Sequence, residues 1–434
     1  MSQKDLTLDF SFLCRLYRKV RVIDMTDMMI KKSIKRVMAV LAAAGVFCGV
    51  FPETAAAHFL SSAEEWCIGN EAIQGYEKQH SIWQDDSILT LQNCLVQANH
   101  DEIKLREDGE KRYLSNIKVS GENDVNAFTF PGGFIYVTQD MIDFCRTRAA
   151  DGTTDMNRYN TDSIYNNGTL AFVLGHEMGH FVNEDYLRAY DKRFAVDMLF
   201  GLFGGQGSAE SVMVQQEAQD ILNKMNTRQM SLRVEEQADE KGLRYVSRVP
   251  VWSIGNGAIF FHRLCQLEAA NHTRQDWQRP HSKSDVRLRR VLGKMKEISG
   301  GRVEFKEDRF YLDHQLFMGT GRLDSTAEVD GLERTYYVAG QIASAIEAGL
   351  WSKACVAVAE EKDVFVKPHG DGSRLVVCAG KKNRNGTYSC QRVIGIFECS
   401  AKELQEASSV RKNKEVETVR FLYHQAAKPV PKDE

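Results

Sequence analysis

Residues Gly175-His176-Glu177-Met178-Gly179-His180 spell H-E-x-x-H inside Thr169–Tyr186, a run that reads as a helix with Thr169 as its N-cap. Residues four apart on a helix share a face. His176 and His180 can therefore aim their imidazole nitrogens at one metal ion. Glu177 lies beside that face, where a carboxylate can take a proton from a metal-bound water. The match alone is short. In a chain with 11 histidines the spacing arises by chance at roughly the 2% level, and a helix with two hydrogen-bonded histidines reads the same way. A third ligand has to come from elsewhere.

The chain has 434 residues, enough for two or three domains. Its net charge of −3 leaves no basic surface for nucleic acid. Near the start, Lys31, Lys32, Lys35 and Arg36 precede an apolar stretch, Val37–Phe51, and then Thr54-Ala55-Ala56-Ala57. That order is a secretory signal peptide over residues 1–57, cleaved after Ala57, with Met25, Met28 or Met29 as alternative starts. The apolar stretch is short for a membrane span, and an uncleaved N-terminal anchor is the competing reading. Cleavage removes nine basic and five acidic side chains and takes the net charge to −7. The expected location is therefore exported, most simply periplasmic, with no stable span afterwards. Eight cysteines remain, Cys67, Cys94, Cys145, Cys265, Cys355, Cys378, Cys390 and Cys399, and none forms a C-x-x-C zinc pair. Four of them fall within Cys355–Cys399, where one or two disulfides are expected.

Apolar spacing gives helices over Ser61–Ala98, broken at Asp85-Asp86-Ser87, and over Gln139–Thr147, Ser211–Lys241, Val251–Ala270 and His281–Ile298. Asn126–Val137 carries aromatic and β-branched residues around Pro131-Gly132-Gly133 and reads as a hairpin or a sharply bent strand. Arg193–Gly207 is apolar but too short to cross a bilayer, and reads as core. Beyond residue 302 a helix at Val338–Ala348 is joined by short strands at Ala354–Ala359, Val364–Val366, Leu375–Ala379, Val393–Phe397 and Val416–Tyr423. The fold class is α+β: a mainly helical domain with a small sheet over residues 58–301, and a smaller α+β domain over 302–434.

Glu235 and Asp239 lie on one helix face, 55 residues after His180. One carboxylate could bind a metal while the other holds a ligand histidine by its far nitrogen. A solvated E-x-x-x-D face reads identically. Here a resemblance becomes specific. H-E-x-x-H followed by Ser231 and Glu235-x-x-Ala238-Asp239-x-x-Gly242 resembles the HtpX / CAAX-prenyl-protease-like family of zinc metallopeptidases, whose pattern is S-R-x-x-E-x-x-A-D-x-x-G. Asn126-Ala127-Phe128 with Pro131-Gly132-Gly133 resembles its N-A-F-x-x-P-G-G strand. Glu65 with Gly69 resembles its opening E-x-x-x-G, and His281 with Arg287 its H-P-x-x-x-x-R segment. The blocks run from Glu65 to Met295, and the likeness is to the soluble exported members. Leu232 and Ser282 depart from the pattern, standing where the family usually has arginine and proline.

The resemblance implies a zincin-type domain binding one zinc per chain through His176, His180 and Glu235. Glu177 would be the general base and Asp239 the carboxylate orienting a ligand histidine. Pro131, Gly132, Gly133, Phe134 and Tyr136 would form the edge strand that pairs with an extended polypeptide substrate. His281 and Arg287 would lie at the cleft as further catalytic donors, and His281 closes over the zinc in some relatives. The implied activity is that of an exported zinc metalloendopeptidase acting on unfolded or misassembled envelope proteins. The competing reading is an envelope chaperone-like or scaffolding protein whose metal site is capped. Oligomeric state is not legible at this level.

Overall fold

The computed structural model describes residues 58, 60–105, 113–146, 163–191, 232–271, 284–307, 309–317, 331–364, 374–382, 388–397, 399–405 and 414–428. Arg193–Gly207, Ser231 and His281 therefore lie outside the described residues.

The first two helices, α1 (Ser62–Glu77) and α2 (Asp86–Ala98), start at polar caps. Ser61 and Glu64 form a reciprocal capping box, and Asp85 accepts from the Ser87 and Ile88 amides. A four-stranded sheet follows, in the order β1 (Ile82–Trp83), β2 (Lys118–Ser120), β4 (Phe134–Thr138), β3 (Ala127–Phe130). β2 runs parallel to β4, and β3 pairs with β4 antiparallel.

That order corrects one expectation. Phe134–Thr138 is an interior strand with β2 on one side and β3 on the other, so it offers no edge to a substrate. Tyr136 is 1% exposed, and its hydroxyl donates to Glu77. Pro131, Gly132 and Gly133 form a buried turn with φ of 78° and 79° at the two glycines. The turn packs on α1 so tightly that a Cβ on Gly69 would lie 1.8 Å from the Pro131 carbonyl oxygen. Among the described residues the edge strands are β1 and β3.

After the short helix α3 (Gln139–Cys145), the H-E-x-x-H residues sit on α4, Ser163–Val182, which begins six residues before the expected cap at Thr169. Glu184 then takes a left-handed φ of 58° and reverses the chain, and a new helical segment starts at residue 185. α5 (Leu232–Ser247) lies across α4 at backbone contact. A Cβ on Gly242 would be 3.0 Å from the His176 nitrogen, and one on Gly179 would be 3.1 Å from the Ala238 carbonyl oxygen. The small residues of A-D-x-x-G thus let α5 carry Glu235 up to the two histidines. α6 (Gly255–Asn271) and α7 (Ser284–Ile298) complete the helical layer.

A short meander, β5 (Val303–Lys306), β6 (Arg309–Leu312) and β7 (Gln315–Leu316), leads to α8, Gly331–Glu347. A second antiparallel sheet of β8 (Val356–Glu360), β9 (Leu375–Lys382) and β10 (Tyr388–Phe397) follows. Cys378 and Cys390 form a disulfide between β9 and β10. Residues 416–423, expected as a strand, lie in α9, Lys414–Ala426. Their β-branched content suggested a strand, but Val416, Val419, Leu422 and Ala426 are buried at helical spacing. At Val364 the chain closes a helical turn, Glu361–Val364, instead of a strand. One continuous core joins α4 and α6 to α8 and the second sheet. Among the described residues no helix is long and apolar enough to cross a membrane.

Candidate metal centre

α4 presents His176 and His180 on one face, one turn apart, and α5 brings Glu235 opposite them. All three are buried, at 5%, 8% and 0% exposure. The two Nε2 atoms are 3.1 Å apart. Glu235 Oε2 lies 3.5 Å from the Nε2 of His176, and Oε1 lies 3.7 Å from the Nε2 of His180. Donors around a tetrahedral zinc, at bond lengths near 2.0–2.1 Å, stand about 3.3 Å apart. The three distances bracket that value, so the donor set fits zinc.

Electrostatics agree. Glu177, Asp185, Glu235 and Asp239 are all buried, and Arg287 is the buried cation among them. Such an excess of carboxylate is costly to bury unless a cation balances it. His176 feels that excess of carboxylate directly. Burial disfavours its charged form, but hydrogen bonds to Asp239 and Glu235 push it up to about 10. For Asp239, burial works against ionisation, and Arg287 and His176 more than offset it, holding the carboxyl below its usual range.

Each histidine turns its Nε2 inward because a carboxylate takes its Nδ1. For His176 this is Asp239, at 3.0 Å, as the sequence expects. For His180 it is Asp185, at 2.8 Å, a residue that sequence reasoning missed. Its signal was thin: an aspartate five positions past His180, facing back only because the chain reverses at Glu184. Both contacts fix the tautomer that leaves Nε2 as a ligand.

Arg287 is 2% exposed and makes a two-pronged bond to Asp239, with Nε 2.8 Å from Oδ2. Its Nη1 lies 3.7 Å from Glu235, and its guanidinium sits 4.4 Å from the centre of the Phe261 ring. Its Nε and Nη2 are taken by Asp239, while Nη1 makes no hydrogen bond among the described residues. Leu232 is 59% exposed at the start of α5.

Glu177 is 4% exposed on the same helix, and its carboxylate accepts from the Thr129 hydroxyl at 2.8 Å. The arrangement therefore pairs a three-donor metal site with a carboxylate base beside it, the parts that metal-assisted hydrolysis needs. The model of the family described as Peptidase family M48 matches residues 97–294, from the end of α2 through α7. That span contains His176, Glu177, His180, Glu235, Asp239 and Arg287. No curated protein matches the chain.

Proposed function

Through residues 97–294 the chain belongs to peptidase family M48, a family of zinc metallopeptidases, and we propose that it is an exported endopeptidase that cleaves extended, unfolded or misassembled envelope polypeptides. The observation that carries the catalytic reading is Glu177, buried beside the convergent Nε2 atoms of His176 and His180 and the carboxylate of Glu235. When bound, zinc supplies Lewis acidity, lowering the pKa of a water and polarising the scissile carbonyl. With a metal held by His176, His180 and Glu235, Glu177 would accept a proton from the attacking water. It then delivers the proton to the leaving amine as the C–N bond breaks.

β3 supports the preference for extended chains. Among the described residues it is one of the two edge strands of its sheet, and it packs against α4. Thr138 donates its amide to the Asn126 carbonyl, which makes those two a hydrogen-bonded pair. Antiparallel pairs alternate, so the N–H and C=O groups of Ala127 point away from β4. A substrate segment adding to β3 would be held by its main chain, which selects for unfolded conformation over side-chain identity. The export proposal rests on the leader-like residues 31–57 and gains support from the Cys378–Cys390 disulfide, a bond that persists in oxidising compartments. N-terminal sequencing of the mature protein should begin at His58.

Casein cleavage that a chelator abolishes and zinc restores is the expected result. Glu177→Gln should retain zinc and lose the activity. Glu235→Ala should lose zinc, while Glu236→Ala should not, because Glu236 points outward to Arg290. A Glu177→Gln protein that cleaves casein at the wild-type rate would reject the peptidase assignment of this site.

A further inference from the structure

Asp185 reaches the Nδ1 of His180 because Glu184, just before it, takes a left-handed φ of 58°. Without glycine's freedom that conformation is strained, and it persists only where the surroundings over-determine it. Asp185 does not fix the turn by its own side chain. Its second oxygen, Oδ1, is buried with no hydrogen-bond partner among the described residues. The backbone ahead of it must therefore hold the carboxylate in place. His58, 126 residues before Glu184, supplies such a hold. Its Nε2 lies 2.9 Å from Glu184 Oε2, and its Nδ1 lies 2.6 Å from Asp191 Oδ2. Residues 185–191 are one helical segment, tied to the turn by the Arg188 amide, which donates to the Glu184 carbonyl at 2.9 Å. One imidazole thus grips both ends of the segment that begins with Asp185. Leu60 and Tyr186 pack on the same apolar cluster, built largely from α1, so the chain beside His58 is anchored there too.

We propose that His58 is a positioning residue for the metal centre: by clamping Glu184 and Asp191 it keeps the turn left-handed and Asp185 on His180. The path runs from the His58 ring through Glu184 to Asp185, and from there to the ligand histidine. This role differs from those of Asp185 and Asp239, which meet the ligand histidines directly. The inference rests on the zinc-site reading above and adds to it a residue from the far end of the domain.

The test measures zinc affinity, by competition with a chromogenic chelator, and thermal midpoint. It compares wild type, His58→Ala, Asp185→Asn, Glu184→Ala and Glu184→Gly, and His58→Ala combined with Asp185→Asn or with Glu184→Gly. Loss of a partner that touches a ligand costs about ten- to a hundredfold, so His58→Ala, acting one residue further out, should weaken zinc binding by about three- to tenfold. In the Asp185→Asn background it should cost nothing more, since the carboxylate it places is gone. Glycine adopts left-handed backbone without strain, so Glu184→Gly should stay within about twofold of wild type, with or without His58. Glu184→Ala should be as weak as His58→Ala. A merely structural His58 would lower the thermal midpoint in every background, and glycine would not restore zinc affinity. Equal affinities for His58→Ala and a zinc-binding wild type overturn the proposal and leave the metal site standing. So does a His58→Ala effect that persists at full size in the Asp185→Asn or Glu184→Gly background. If His58→Ala does not fold, the two Glu184 variants decide: a weaker alanine variant upholds the proposal, and equal affinities overturn it. A wild-type chain that binds no zinc overturns the metal site itself, and the proposal with it.

Discussion

The carboxylate of Asp185 stands 2.8 Å from the Nδ1 of His180, the nitrogen that faces away from the metal site. Asp239 does the same for His176 at 3.0 Å, so the two ligand histidines are held by matching partners from different parts of the chain. Losing such a partner typically costs ten- to a hundredfold in metal affinity. Asp185→Asn should therefore weaken zinc binding by about that factor, as read by competition with a chromogenic chelator. The far-ultraviolet spectrum should be unchanged. An affinity equal to wild type would mean that His180 is oriented by the helix alone.

Arg287 offers a sharper distinction. Were it a donor to the substrate, its removal would act on turnover and leave the site intact. Buried and forked onto Asp239, it should instead act on stability and metal binding together. Removing one partner of a buried ion pair costs about 3–5 kcal/mol, because the other charge is left uncompensated. We expect Arg287→Ala to lower the unfolding free energy by that order and to weaken zinc binding. Arg287→Lys should recover little, since a point charge cannot reproduce the fork. Denaturant titration of both variants with chelator and with zinc measures the two effects separately.

What could be read from the chain follows from the range of the physics involved. Helical spacing made the shared faces legible, His176 with His180 and Glu235 with Asp239, but only the family resemblance separated the second pair from a solvated E-x-x-x-D surface and gave Glu177 its role. Asp185 was not legible, because its approach depends on a left-handed residue at Glu184, a position with no glycine to announce it. The hairpin around Pro131–Gly133 was legible, but not which of its strands would be outermost. That is decided by β2, which joins the far side of β4 in parallel from a segment with weak alternation of its own. Thr129 was hidden for the same reason, since its hydroxyl meets Glu177 only once β3 is laid on α4. Residues 416–423 misled because side-chain type and burial period pointed to different elements, and packing chose the period.

His58 gives a pH dependence of folding stability. Its ring lies between Asp191, at 2.6 Å from Nδ1, and Glu184, at 2.9 Å from Nε2. The hydrogen bond to Asp191, then that to Glu184, raises its pKa from 6.5 to about 9, against the opposing effect of partial burial. A folded-state pKa above the unfolded one means that protonation favours the fold. The contribution is complete below pH 6.5, declines as pH rises and is lost once pH passes about 9. His58→Gln should thus lower the thermal midpoint relative to wild type at pH 6 and match it near pH 10. A constant difference across that range would show that the contact acts through packing alone.

The segment after residue 301 is not expected to behave as an appendage. Gly255, at the start of α6, meets α8 so closely that a Cβ there would lie 2.0 Å from the Tyr336 carbonyl oxygen. The Tyr337 hydroxyl donates to the Val251 carbonyl at 2.8 Å. From β10, Arg392 reaches the carbonyls of Ser247 and Trp252 and the side chain of Gln341, which ties the second sheet to the end of α5. A chain ending at Gly301 would expose the faces of α6 and α7 that α8 covers, and would leave the Val251 and Ser247 carbonyls without these donors. Apolar surface returned to water forfeits about 25 cal/mol of stabilisation per Å². Since whole domains are stable by only about 5–15 kcal/mol, the truncated chain should be unfolded or insoluble. In the full chain, Arg392→Ala should lower stability by at least about 2 kcal/mol, measured by denaturant titration. Recovery of a folded, zinc-binding fragment ending at Gly301, with the thermal midpoint of the full chain, would show that residues 302–434 are a separable module.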